Sequence, residues 1–255
     1  MPFVHVGGHR LEYERIDAGG GGRSTLVLLH EGLGSISMWR DFPRHLAHAA
    51  SSPVVVYSRH GHGNSDPLTA PRTVRYLHDE ADVALPAFLD ALAIDCPILV
   101  GHSDGGSIAL LHAASGARDV AGVVALAPHV RVEDISVASI AAARDAYAVT
   151  TLREKLARHH ADGDGVFWRW NDIWLSPEFR AWNIEDCLPR IACPILAIQG
   201  EDDEYGTMDQ LARIARGARD VEIVALADCR HALHRDQPDA LVEAIARFVG
   251  RVSAA

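Results

Sequence analysis

The chain has 255 residues, a length that suits one domain or one domain carrying an insertion. Apolar residues make up 48%, which provides for a sizeable core and argues against disorder. A formal net charge of −10 excludes a broad basic face, and with it a nucleic-acid or anionic-membrane partner.

The opening residues, MPFVHVGGHRLEYERI, lack a basic-then-apolar leader pattern. No apolar run approaches the ~18 residues of a membrane span. The expectation is a soluble cytoplasmic protein. FVHV and RLEYERI are separated by Gly7 and Gly8, which predicts an antiparallel hairpin, and Gly19 to Gly22 read as a turn into the first central strand. Six short apolar runs follow: Leu26 to Leu29, Val54 to Tyr57, Ile98 to Val100, Val123 to Ala127, Ile195 to Ile198 and Val221 to Leu226. They are rich in β-branched residues and mostly do not alternate with polar ones, as expected of strands covered on both faces. Pro53, Pro97 and Pro194 lead into three of them, a position a strand tolerates.

Helical periods lie between these runs. Val74, Leu77, Ala81, Leu85, Phe88 and Leu92 step by three and four, and Leu241, Val242, Ile245, Phe248 and Val249 do likewise. Strands alternating with helices predict an α/β fold with a mainly parallel central sheet and helices on both faces. Residues 129–190 contain no strand-like run and hold four of the five tryptophans, Trp168, Trp170, Trp174 and Trp182. This stretch reads as an inserted helical cap, with 1–128 and 191–255 as the core. The four cysteines, Cys96, Cys187, Cys193 and Cys229, form no C-x-x-C pair, so no zinc or redox motif is visible and free buried thiols are expected.

The chemistry concentrates around GHSDG, Gly101 to Gly105, where a strand turns into a helix on small residues. Glycines on both sides allow so tight a turn, and Ser103 then projects at the helix start, where N–H groups favour negative charge. An N-cap serine is the plainer alternative. A serine hydroxyl needs a base, and a histidine oriented by a carboxylate supplies one. Downstream, one loop carries Glu201, Asp202, Asp203 and Glu204, and the next carries His231 and His234. Both follow the carboxyl ends of strands, where sites of open α/β sheets form. His60 and His62 lack a third ligand for a metal. Neither a P-loop nor a complete G-x-G-x-x-G is present.

Taken in order, LLHEGLGS with His30, GHGNSD, the turn at Ser103, G-x-x-D at Gly200 to Asp203, and His231 followed by Asp236 and Pro238 resemble the α/β-hydrolase fold serine hydrolases over nearly the whole chain. The resemblance implies Ser103 as nucleophile, His231 as base in preference to His234, and Asp203 as the orienting acid in preference to Asp202. It places Gly32 and the N–H of Asp104 at the oxyanion hole, and His30 as a residue that holds the loop. It implies cleavage of an ester, thioester or related acyl bond of a small apolar or aromatic substrate, without metal or organic cofactor. Carbon–carbon bond hydrolysis with the same triad and a non-catalytic ligand-binding protein are the alternatives.

Three residues depart from the pattern. Glu31 and Arg230 stand where glycines are usual, and Asp104 brings a carboxylate beside the nucleophile. Glu31 and Asp104 either face away or bias the pocket against anionic acids. Facing away fits better, since unpaired carboxylates would oppose a developing oxyanion. Trp168, Trp174, His129, His234 and Glu31 are the candidate substrate contacts. Nothing in the pattern fixes the oligomeric state, and a homodimer is compatible with it.

Overall fold

The computed structural model describes residues 1–18 and 23–253, so the glycine turn expected at Gly19 to Gly22 lies outside the described residues. Among the described residues eight strands form one sheet: β1 (Phe3–Val6), β2 (His9–Ile16), β3 (Leu26–Leu29), β4 (Val54–Tyr57), β5 (Ile98–His102), β6 (Gly122–Leu126), β7 (Ile195–Gly200) and β8 (Val221–Leu226). Their order is β1-β2-β4-β3-β5-β6-β7-β8. β1 and β2 pair antiparallel, as do β2 and β4, and every pair from β4 to β8 is parallel. The first hairpin turns on Gly7 and Gly8 at φ +57° and +87°.

The runs of β3 to β7 fail to alternate because both faces of these strands are covered, whereas the edge strand β8 leaves Ile223 exposed. Val27, Leu29, Val55, Leu99 and Val123 face one core. Their neighbours Leu26, Leu28, Val54, Val56, Ile98 and Val100 face another. Helices α1 (Phe42–Ala50) and α10 (Pro238–Val252), which pack against each other, cover the second face. The first face is covered by α2 (Tyr76–Asp79), α3 (Leu85–Ala91), α4 (Asp104–Ser115) and α8 (Asp209–Gly217).

The predicted helix from Val74 to Leu92 is interrupted. It starts at Tyr76 and passes through a π-turn at Glu80–Ala84 before α3, and Val74 is exposed. Leu77, Ala81 and Leu85 are spaced by four and all fully buried, a stagger that outruns 3.6 residues per turn. Pro86, which lacks an N–H and crowds the carbonyl four residues earlier, follows directly, and the wider turn accommodates both.

Between β6 and β7 the chain forms α5 (Asp134–Val149), α6 (Leu152–Ala157) and α7 (Gly163–Trp174), with only an isolated bridge between Arg131 and Asn183. The short helix α9 (Leu233–Asp236) lies between β8 and α10. Among the described residues no helix is long and apolar enough to cross a membrane. All four cysteines are free thiols, but only Cys187 and Cys229 are buried. Cys96 is exposed, because it lies in the turn just before β5 rather than in a core strand.

Candidate active site

β3 and β5 are neighbours, while β4 lies on the far side of β3, so the strand order reverses between them. A crevice opens at the carboxyl ends of strands beside such a reversal. Three loops converge there, from the ends of β5, β7 and β8, and a fourth follows β3.

The β5 turn is drawn tight. Ser103 has φ 53° and ψ −117°, and is held by its N–H to Leu126 O at 2.8 Å. The flanking glycines are demanded by close approach. A Cβ on Gly101 would sit 2.1 Å from Gly105 O, and one on Gly105 2.1 Å from Leu29 O. Gly105→Ala is therefore expected to cost about 3 kcal/mol of stability, since both obstacles are backbone in packed elements. Urea unfolding of the variant against wild type measures this.

Asp203 follows β7 and is buried. Its Oδ1 accepts from the N–H groups of Tyr205 at 2.8 Å and Gly206 at 3.3 Å, and its Oδ2 accepts from Gln199 Nε2 at 3.2 Å. His231, after β8, places Nδ1 at 2.9 and 3.0 Å from the two carboxylate oxygens. Burial alone would push the His231 imidazole down. The hydrogen bond and negative charge of Asp203 outweigh it and hold its pKa above the ordinary value. Asp203 in turn lies below the usual carboxylate range: burial opposes this, and the His231 hydrogen bond and the Tyr205 amide bring it about. His234 instead donates Nε2–H to Met38 O at 3.3 Å, so the carboxylate pairs with His231.

Ser103 and His231 line one cavity of about 240 Å³. Among the described residues no hydrogen bond joins the hydroxyl directly to the imidazole. Such bonds are often loose before substrate arrives. The two loops are fastened to each other all the same, because His102, directly before Ser103, donates Nε2–H to the His231 carbonyl at 2.8 Å.

After β3, the Glu31 carbonyl accepts from His30 Nδ1 at 2.7 Å and from Arg59 Nη2 at 3.0 Å. A trans peptide points its N–H opposite its carbonyl, so the Gly32 N–H is turned away from that buried pair. The Leu33 carbonyl is held by His160 Nε2 at 2.9 Å, whose Nδ1 accepts from the Gly63 N–H at 2.9 Å. Gly32 leaves no room for a side chain: a Cβ would lie 2.3 Å from Trp170 Cδ1.

The two unexpected carboxyl groups separate in space. Asp104 is buried, and its Oδ2 accepts from Tyr76 O–H at 2.8 Å. Trp174 Nε1–H donates to that hydroxyl at 2.9 Å, so the helical segment is bolted to the Ser103 turn. Glu31 does the opposite of facing away. Glu31 is among the residues that line the cavity, and burial raises its carboxyl to about 7.

His129, His234 and Trp174 also line the cavity. His129 packs edge-on to Trp174 at 5.0 Å and lies 6.1 Å from His231. Burial, with the charge of His231 second, lowers His129 to about 4. Trp168 does not line the cavity. It is 40% exposed and packs edge-on against Phe167 and Tyr147. Trp170 takes that place, because residues four apart share a helix face with Trp174 and residues six apart do not. The cavity is further lined by His102, Tyr205, Glu204 and Arg235, which the sequence motifs do not single out as cavity residues. His102 sits inside the serine motif, and Glu204 and Tyr205 directly follow Asp203, so adjacency to the motifs was the available signal.

Comparison with known proteins places the fold. A profile of the alpha/beta hydrolase family matches residues 26–244. Esterase YbfF of Escherichia coli (strain K12) is 28% identical over 251 residues, covering 89% of this chain and 93% of that protein. The enol-lactonase of Burkholderia xenovorans LB400 superposes with a TM-score of 0.76 at 22% identity, over 98% of this chain and 100% of that one. Proline iminopeptidase of Mycobacterium smegmatis does so with a TM-score of 0.78 at 18% identity, over 99% and 98%. With that match running from β3 into α10, across every loop that meets in the crevice, the chain belongs to the alpha/beta hydrolase family of enzymes.

Proposed function

We propose that this hydrolase cleaves a carboxylic ester or related acyl bond of a small molecule through an acyl-enzyme on Ser103. The observation that carries the reading is the Asp203 carboxylate fixed on His231 Nδ1, with the other edge of that ring free to serve a hydroxyl lining the same cavity. Ser103 Oγ attacks the carbonyl carbon while His231 Nε2 takes its proton. The N–H groups of Gly32 and Asp104 receive the oxyanion, each such donor contributing about 3 kcal/mol to lowering the barrier. His231 returns the proton to the leaving group. The same ring then draws a proton from water, which attacks the acyl carbon and frees Ser103.

The cavity of about 240 Å³ suits a small substrate, and Met38, Ile140, Trp170 and Trp174 offer an apolar wall for it. Residues 129–190 act in this reading as a cap that supplies that wall. The similarity to a protein named as an esterase points the same way.

A panel of 4-nitrophenyl esters run beside a vinylogous diketone, together with fluorophosphonate labelling, tests the proposal. Ester turnover is expected, with labelling of wild type and none of Ser103→Ala. Turnover of the diketone alone would assign carbon–carbon cleavage instead. An unlabelled, inactive wild type would make the protein a ligand binder on a hydrolase fold.

A further inference from the structure

Glu31 directly precedes the candidate oxyanion glycine, and its backbone carbonyl is anchored from two sides by His30 and Arg59. Glu31 lines the cavity with Ser103 and His231. The loop is shaped to seat the carboxyl. A Cβ on Gly34 would lie 2.7 Å from Glu31 Oε2 and 3.0 Å from Cδ, so the absence of one makes the room. Among the described residues Oε2 is buried with no hydrogen-bond partner. A buried carboxyl oxygen without a partner is unfavourable, and a group on a bound ligand would supply the missing bond.

The surroundings select the kind of group. The charges of His231, Arg235 and Arg59 act on the carboxyl, and Glu204, His102 and His234 line the same cavity. The Arg59 guanidinium is directed at the loop's own carbonyls. A substrate carboxylate against the Glu31 carboxyl would set two acceptors face to face with no donor between them unless one of the pair held a proton. A substrate ammonium would sit beside His231 as that ring becomes positive during the reaction. A hydroxyl avoids both conflicts. It donates to the carboxylate and accepts from the carboxylic acid, so it is satisfied in either ionisation state. Burial places the changeover between these states at about 7.

We propose that Glu31 is a specificity-determining residue that hydrogen-bonds a hydroxyl group of the substrate, so that hydroxylated esters are preferred and acid-bearing esters rejected. This rests on the ester-hydrolase reading above and names the substrate class for it.

The test is pH-stat kinetics of wild type, Glu31→Gln and Glu31→Leu. The substrates are ethyl butyrate, ethyl 2-hydroxybutyrate, ethyl 3-hydroxybutyrate, 2-hydroxyethyl butyrate and monoethyl succinate. The readout is the kcat/KM ratio of each ester to ethyl butyrate within one variant, which a reduced folded fraction does not alter. In wild type the best hydroxylated ester is expected to exceed ethyl butyrate by about tenfold or more. Glu31→Leu should bring that ratio close to one. Glu31→Gln should keep part of it, because an amide still bonds a hydroxyl, and both variants should gain on monoethyl succinate. A ratio unchanged from wild type to Glu31→Leu, or no hydroxyl preference in wild type, overturns the role of Glu31 alone. A folded wild type that cleaves none of the five esters overturns the ester-hydrolase reading and this inference with it.

Discussion

Asp203→Asn is expected to lower kcat by about 10⁴-fold while the protein stays folded. The carboxylate is surrounded by donors: the N–H groups of Tyr205 and Gly206, the Gln199 amide, and His231 Nδ1. An asparagine keeps one acceptor, which the loop N–H groups can hold. Its NH₂ must then turn toward another donor. The outcome with least conflict is a His231 that accepts at Nδ1 and carries its proton on Nε2. That tautomer cannot take a proton from Ser103. The pH profile gives a second readout. In wild type kcat/KM should rise with pH through the raised pKa of His231, because the base must be neutral. Without the Asp203 charge only burial remains as the main influence, and it lowers the pKa, so the limb should move to lower pH in the variant. Steady-state kinetics across pH, with circular dichroism as the control for folding, measures both. A variant within tenfold of wild type would remove Asp203 from the mechanism.

The sheet could be read from the sequence because the core strands β3 to β7 are short apolar runs covered on both faces, and these runs, with that of the edge strand β8, match the strands within two residues at either end. The π-turn could not be read. It arises from a spacing of four between Leu77, Ala81 and Leu85 that by itself still resembles a helix, and only the packing of all three against the sheet reveals the extra residue. The Asp203–His231 pairing needed motif spacing across 28 residues, which local pattern does not supply. Glu31 departs from the expectation that it faces away for a definite reason. Repulsion decides the matter only for a fully ionised carboxylate, whereas burial raises the Glu31 carboxyl to about 7, and the missing side chain of Gly34 gives it a seat. Residue type points to Trp168 and Trp174, but it does not say which way a helix faces. The face is set by how α7 lies over the crevice, and it presents Trp170 and Trp174.

The serine turn itself yields the largest expected loss and a separate gain. Ser103→Ala and Ser103→Gly should each lower kcat by about 10⁵-fold or more, since neither can form the acyl-enzyme. Their stabilities should differ. Ser103 holds φ 53° and ψ −117°, a conformation that a residue with a Cβ adopts at a cost of about 1–3 kcal/mol. The surroundings enforce it, through the Ser103 N–H on Leu126 O and the Ser107 N–H on Ser103 O. Alanine keeps the Cβ and therefore the strain. Glycine releases it, offset by about 0.5–1 kcal/mol for the greater freedom of its unfolded chain. The glycine variant should thus exceed the alanine variant by about 1 kcal/mol, or about 2–4 °C in Tm for a chain of this size. Thermal melts of the two inactive proteins make the comparison free of any ligand effect. Equal melting points would mean that the turn is relaxed. A more stable glycine variant would mean that the fold spends stability to hold the hydroxyl at the mouth of the crevice, where Asp203 and His231 can act on it.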